Sequence, residues 1–277
     1  MKASAYIQAF LQSRLAYIVA ISPSLQLVSE FMSHNTSMEE EQVWVKVHRR
    51  KGRRSRTTPS AVSLAPPRPS TPARSLEQIQ QDHGRFTSQW KNSASYSWLQ
   101  EQLPLSHTTE TGNSVTVTQA ICFGLGSFDG MWSRTAHVQL AAFFTIVEHL
   151  QSKASCRIRC IFQDPVFNSV DKDFIASLGH ETVESPTGFQ LVDPETLAFG
   201  IHLERPVYSQ VIALHFPAIF VGTSYNIWED ITLPEDLDWP RMKELDRICT
   251  KASFPHDESD SSTFLGTIIY WRQKDTS

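Results

Sequence analysis

Ala120-Ile-Cys-Phe-Gly-Leu-Gly-Ser-Phe128 constrains the fold more than any other stretch of this chain. A continuous apolar run suits a strand covered on both faces. The two glycines break that run, and the residues after them read as a helix. About forty residues later the next apolar run, Arg157-Ile-Arg-Cys-Ile-Phe162, ends in an acid, Asp164-Pro-Val-Phe167. Strand, glycine turn, helix, strand and acid together are the opening of a Rossmann-like α/β domain.

The rest of the body keeps the alternation. A helix is expected from about Arg134 to Gln151, with Ser133 as its N-cap and Ala136, Leu140, Phe143, Phe144, Val147 and Leu150 as an apolar stripe. A short helix over Asp171–Leu178 closes at Gly179. Strands are expected at His180–Val183, Thr196–Ile201, Ala218–Val221 and Phe264–Trp271. Helices are expected over Pro206–Leu214 and from Asp238 to about Lys251. Such alternation implies a mostly parallel sheet flanked by helices, with right-handed crossovers. Upstream, the pattern from Leu76 to about Leu103 is helical but polar, with Leu76, Ile79, Phe86, Trp90, Trp98, Leu99 and Leu103 turned inward, followed by a Thr/Ser-rich linker. The chain therefore divides into an arm over 1–74, a helical lead-in over 75–109 and a Rossmann-like domain over 110–277.

Charge separates the arm from the body. Residues 1–74 carry 11 Lys+Arg against 4 Asp+Glu, whereas residues 75–277 carry 14 against 25. An acidic body argues against a broad nucleic-acid surface on the folded part. Seven of the eleven residues from Lys46 to Arg56 are basic, and a Pro/Ser/Thr/Ala-rich tract follows. With few apolar side chains to bury, this arm is expected to be disordered. The basic run reads either as a nuclear-import signal, with an import receptor as partner, or as a solvated tail. Met38 has the look of a protein start, so residues 1–37 read as an upstream extension of the gene model; a mitochondrial presequence is the alternative. No stretch reaches the ~18–20 apolar residues of a membrane span, so no membrane is expected among the partners. The four cysteines, Cys122, Cys156, Cys160 and Cys249, form neither a disulfide framework nor a zinc pattern. A reducing compartment, cytoplasm or nucleus, is expected.

In doubly wound sheets ligands bind beyond the carboxyl ends of the strands, at the switch in strand order. Gly124, Gly126, Ser127, Asp164 and His202 fall there and form the candidate ligand crevice. The glycines would let backbone amides approach a phosphate or the nucleoside of S-adenosylmethionine, and Asp164 would accept from ribose hydroxyls. The competing reading is structural: a sharp strand-to-helix turn, with Asp164 capping its loop. Spacing favours the second, because Asp129 stands where a full G-x-G-x-x-G needs glycine and the acid lies about forty residues on rather than about twenty. His202 reads as a hydrogen-bonded structural histidine before it reads as an acid/base group or metal ligand. Ser127 and Cys122 have no evident base, so hydrolase chemistry is not expected.

Phe123-Gly-Leu-Gly-Ser-Phe128, Ser133, Gln139-Leu-Ala141, Asp164-Pro-Val-Phe167, Leu178-Gly179, Thr196-Leu197, His202-Leu203 and Val207-Tyr208 occur in that order. The set resembles the sensitivity-to-red-light-reduced family. His202-Leu-Glu204, Pro217-Ala-Ile-Phe-Val-Gly-Thr223 and Trp44-Val-Lys-Val-His-Arg-Arg-Lys51 give it a fungal character. The resemblance covers roughly residues 110–225, and more weakly 38–56 and 264–271. It implies a Rossmann-like regulatory protein of cytoplasm and nucleus. Family members are associated with circadian and light signalling in plants, and with control of haem biosynthesis in yeast and animals. Many members carry Pro-His-Cys where this chain has Ile201-His202-Leu203, so the histidine is kept and the cysteine is not. The expectation is a regulatory protein acting through protein partners or a sensed small ligand. The alternative is an enzyme using S-adenosylmethionine or NAD(P) at the Gly124–Gly126 turn.

Overall fold

The computed structural model describes residues 74–106, 116–154, 157–229, 239–255 and 262–272. The arm with its basic run, Cys156, the Thr/Ser-rich linker and the acidic loop before the last strand lie outside them. Ala73–Ser277 form one compact unit.

Seven strands make one sheet in the order β3-β2-β1-β4-β5-β7-β6. They are β1 (Gln119–Phe123), β2 (Arg159–Gln163), β3 (Glu181–Thr182), β4 (Thr196–Gly200), β5 (Ile219–Thr223), β6 (Cys249–Ser253) and β7 (Thr267–Arg272). Strands β1 to β5 run parallel. Strand β7 is antiparallel to β5, and β6 is antiparallel to β7. The expected mostly parallel α/β sheet is therefore present, closed at one edge by an antiparallel pair. Strand order reverses between β1 and β4, which fixes the switch point.

The helices are α1 (Leu76–Lys91), α2 (Ala94–Ser106), α3 (Ser133–Gln151), α4 (Ser169–Ser177), α5 (Thr187–Gln190), α6 (Arg205–Val211), α7 (Tyr225–Glu229) and α8 (Trp239–Ile248). Both faces of the sheet are covered. Phe143 of α3 sits across β1, its ring 5.4 Å from Phe162 of β2 and 5.6 Å from Phe199 of β4. On the opposite face Tyr208 of α6 meets Phe220 of β5 edge-on at 5.6 Å. Successive strand side chains alternate between these layers, and β1, β4 and β5 are buried almost throughout because each layer needs apolar cover.

Two expectations needed correction, and the helical lead-in is made of two helices. Ser93 breaks it, its hydroxyl donating to the Trp90 carbonyl at 2.7 Å and accepting the Tyr96 amide at 3.1 Å. Such local side-chain bonds compete with the helical ladder. Ser133 is the first residue of α3 rather than its cap; Trp132 holds the cap position, its side chain making no capping bond, and Gly130 supplies a carbonyl to the Ser133 amide. The helix expected to reach Lys251 stops at Ile248, and Cys249–Ser253 form the edge strand β6.

Helix α3 is also buried more widely than one stripe allows. Helix α1 lies on its outer side, where the Trp90 indole N–H donates to the Thr145 hydroxyl at 2.9 Å. Ser75 starts α1 with a capping box completed by Gln78. Among the described residues, no helix is long and apolar enough to cross a membrane.

Candidate functional site

The switch point lies where β1 ends at Phe123 and β4 ends at Gly200. Beyond β1 the chain makes its turn through Gly124 and Gly126, both at positive φ (62° and 86°). This left-handed region is open to glycine and strained for other residues. The Gly124 amide donates to the Gln163 carbonyl at 3.1 Å, extending the β1–β2 ladder by one bond.

Two carboxylates then hold the turn. Asp164 Oδ2 accepts the Gly126 amide at 2.6 Å, while its Oδ1 accepts the Val166 amide at 2.9 Å. Asp171 Oδ1 accepts the Phe128 amide at 2.9 Å, and its Oδ2 accepts the Asn168 amide at 3.0 Å. Ser127 is inserted between them: its hydroxyl bonds to Asp171 and accepts the Asp129 amide at 3.1 Å. Asp171 is fully buried. Burial raises its pKa, an effect opposed by the bonds from Asn168, Phe128 and Ser127 and aided by the nearby charge of Asp129.

The space between the strand ends is occupied. Leu203, just past β4, is buried. Its Cδ2 stands where a Cβ on Gly124 would be, and its Cδ1 where a Cβ on Gly200 would be. The missing side chains of two glycines, one just past β1 and one ending β4, thus make the cradle for one leucine. Phe189 of α5 stacks on Phe123 at 5.2 Å, and Gln163 Oε1 accepts the Gly188 amide at 2.7 Å, covering the neighbouring part of the same edge.

The loop that carries Leu203 is fixed at three points. His202 has a φ of 56°, an unusual conformation for a non-glycine residue. Its Nε2 lies 2.9 Å from the Leu265 carbonyl, which can only accept, so this nitrogen carries the proton. The Tyr208 hydroxyl donates to the Gly200 carbonyl at 2.8 Å and accepts the Thr223 amide at 2.9 Å. The same oxygen accepts the Leu203 amide at 3.3 Å and lies 2.9 Å from the Thr223 hydroxyl.

Of the residues singled out in the sequence, Gly124, Gly126, Ser127 and Asp164 come together around one turn. His202 is committed to another element, the segment before β7. Leu203, Asp171 and Tyr208 were not singled out as site residues. The signals were present: a glycine just past β1 and another ending β4 for Leu203, and the Asn168-x-x-Asp171 capping box for Asp171.

Chemically, the turn offers little to an anion. A phosphate would have to displace a carboxylate from an amide while standing beside both Asp164 and Asp171, and like charges at such range repel. A group bearing hydroxyls or positive charge is better matched to the negative charge of Asp164 than an anion is. Among the described residues, no group of three or more His, Cys, Asp or Glu is placed to hold a metal ion.

No curated protein matches this chain. The family model of the SRR1 domain matches residues 78–271, a span that takes in α1, α2, every strand of the sheet, the glycine turn and the Leu203 loop. With that match over more than half its length, the chain belongs to the SRR1 domain family, the sensitivity-to-red-light-reduced family that its ordered motifs resemble.

Proposed function

We propose that this protein is regulatory and acts through protein partners, with the sheet's switch-point edge serving as a shaped surface. The observation that carries this reading is the occupied crevice: Leu203 fills the space between Gly124 and Gly200, and Asp164 and Asp171 take the turn amides. Next to the turn, Met131 is 90% exposed and Trp132 is 48% exposed. Exposed large apolar side chains beside a rigid edge are the kind of residue that anchors protein interfaces. The associations of the family make haem synthesis and light or clock signalling the processes in which to look for an effect. The basic run Lys46–Arg56 fits this reading as an import signal, giving a protein of cytoplasm and nucleus.

A second reading rests on Asp164. If the Leu203 loop moves, the crevice would take a nucleoside whose hydroxyls meet Asp164. The paired carboxylates favour a phosphate-free, positively charged nucleoside such as S-adenosylmethionine over NAD(P). A thermal-shift comparison of the purified chain with S-adenosylmethionine, NAD(P), nucleotides and haem separates the two, since a ligand bound only by the folded state raises apparent stability. The partner reading expects no shift. A reproducible shift with S-adenosylmethionine, lost in Asp164→Ala, overturns it in favour of the second.

A further inference from the structure

His137 lies on α3 directly behind the glycine turn and is fully buried. Its ring is packed by Phe128 of the turn at 4.9 Å, by Phe86 of α1 at 5.6 Å and by Phe174 of α4 at 5.9 Å. The fourth wall is another histidine, His83 of α1, with ring centroids 5.7 Å apart. His83 also meets Phe174, at 5.3 Å. Neither ring nitrogen of His137 has a hydrogen-bond partner, nor does Nδ1 of His83. Three buried, unsatisfied nitrogens in an aromatic box cost stability, because a neutral imidazole still carries one donor and one acceptor. A hydrophobic residue would fill the box at lower cost, so chemistry beyond packing is indicated.

We propose that His83 and His137 form an acid-operated latch: neutral, they pin α1 against α3 and α4, and when protonated they can no longer be held in the aromatic box, so α1 lifts away. Three carboxylates on or beside these elements are already engaged. Asp82 is bridged by Arg74 and Arg85. Asp129 accepts the Arg74 amide at 2.7 Å, and Asp171 is taken up by the turn. Arg74 and Arg85 themselves oppose a further positive charge on His137.

A released α1 would return both histidines to an ordinary titration near 6.5. In place, burial first, then the charges of His83, Arg74 and Arg85, hold His137 down at about 3. Burial also lowers His83. The released form therefore binds more protons below about pH 6.5, so release is favoured as pH falls through that value and is absent above it. Release would also free Arg74 from Asp129, beside the turn, and uncover Phe86, Phe128 and Phe174. This latch stands independently of the partner or ligand readings above.

Hydrogen exchange of the full chain at pH 7.5, 6.5 and 5.5, corrected for intrinsic rates, tests it. Between pH 6.5 and 5.5 the opening constant of the α1 amides should rise roughly 10- to 30-fold, and that of the β1, β4 and β5 amides should not follow. His83→Gln, at a half-buried position, should cut the rise to about fivefold. His83→Gln combined with His137→Phe should abolish it. Absence of a rise confined to α1, or a rise that survives unchanged in His83→Gln, overturns the latch.

Discussion

Leu203 occupies the place that a side chain on Gly200 would need, although the two residues are separated by only two others in the chain. Gly200 is not at positive φ, so the glycine is required there for space alone. Gly200→Ala should therefore destabilise the fold by about 1–3 kcal/mol through overpacking. Leu203→Ala should cost about 2–5 kcal/mol by leaving a cavity. The informative measurement is the double variant in urea unfolding. Removing Leu203 makes room for the new methyl, so the double variant should be less destabilised than the sum of the singles by about 0.5–3 kcal/mol. Strict additivity would show that the leucine does not sit in the glycine cradle.

The Tyr208 hydroxyl joins the ends of β4 and β5 to the Leu203 loop. Tyr208→Phe keeps the ring but leaves the Gly200 carbonyl and the Thr223 amide unpaired in a buried site. The expected loss is about 2–4 kcal/mol. Exchange of the Thr223 amide should accelerate more than that of β1 amides. Equal acceleration across the sheet would mean that the hydroxyl has no local role.

Asp171 gives a pH signature with a definite sign. Its folded pKa lies above the ordinary carboxylate value because burial disfavours the charge. The folded state therefore holds this proton to higher pH than the unfolded state does. The penalty of burying the charge is present at neutral pH and is relieved as pH falls through the folded value. In Asp171→Asn this relief is gone, so stability should fall more steeply with acid than in the parent. Urea midpoints between pH 7 and 4 provide the check, and parallel curves would refute the assignment.

These residues also show what was legible in the sequence. Continuous apolar runs announced β1, β2, β4 and β5, because strands buried on both faces need apolar residues at every position. Strand β6 escaped notice because Cys249-Thr-Lys-Ala-Ser253 is an edge strand with mostly exposed side chains and so carries no such run. The turn was legible from Gly124 and Gly126, and a cap on its own loop was the structural alternative weighed for Asp164; its bond to the Gly126 amide was not foreseen. The filling of the crevice was not legible. That Leu203 folds back between two glycines depends on the positive φ of His202 and on the Tyr208 bonds, neither of which leaves a periodic trace. His137 was hidden for a similar reason: it sits within an apolar helix and draws its meaning from Phe86 and His83 on a helix about fifty residues upstream.

The import reading of Lys46–Arg56 makes a cellular prediction. A fluorescent fusion of the whole chain should be enriched in the nucleus, and deletion of residues 46–56 should shift it to the cytoplasm. The same body with its acidic surface remains in both proteins, so the change would report on the run itself. An unchanged distribution would leave the run as a solvated basic tail.

The cysteines test whether the sheet is as closed as the geometry requires. Burial pushes the thiols of Cys160 and Cys249 up to about 12, and it raises Cys122, on the strand beside Cys160, well above its usual value. The thiolate is the reactive species, so at pH 8 only about one molecule in ten thousand carries it at Cys160 or Cys249. Cys156 lies outside the described residues and would confuse the measurement, so Cys156→Ser is the protein to use. Iodoacetamide at pH 8 should leave its three remaining cysteines unmodified over a period that labels all three in urea. Labelling of Cys122 in the native state would be the most damaging result. This residue stands one position before Phe123, directly beneath the Gly124 turn, and its exposure would mean that the strand end opens readily. In that case the crevice occupied by Leu203 would be in exchange with an open form, and the ligand reading of Asp164 would gain the mobility it needs.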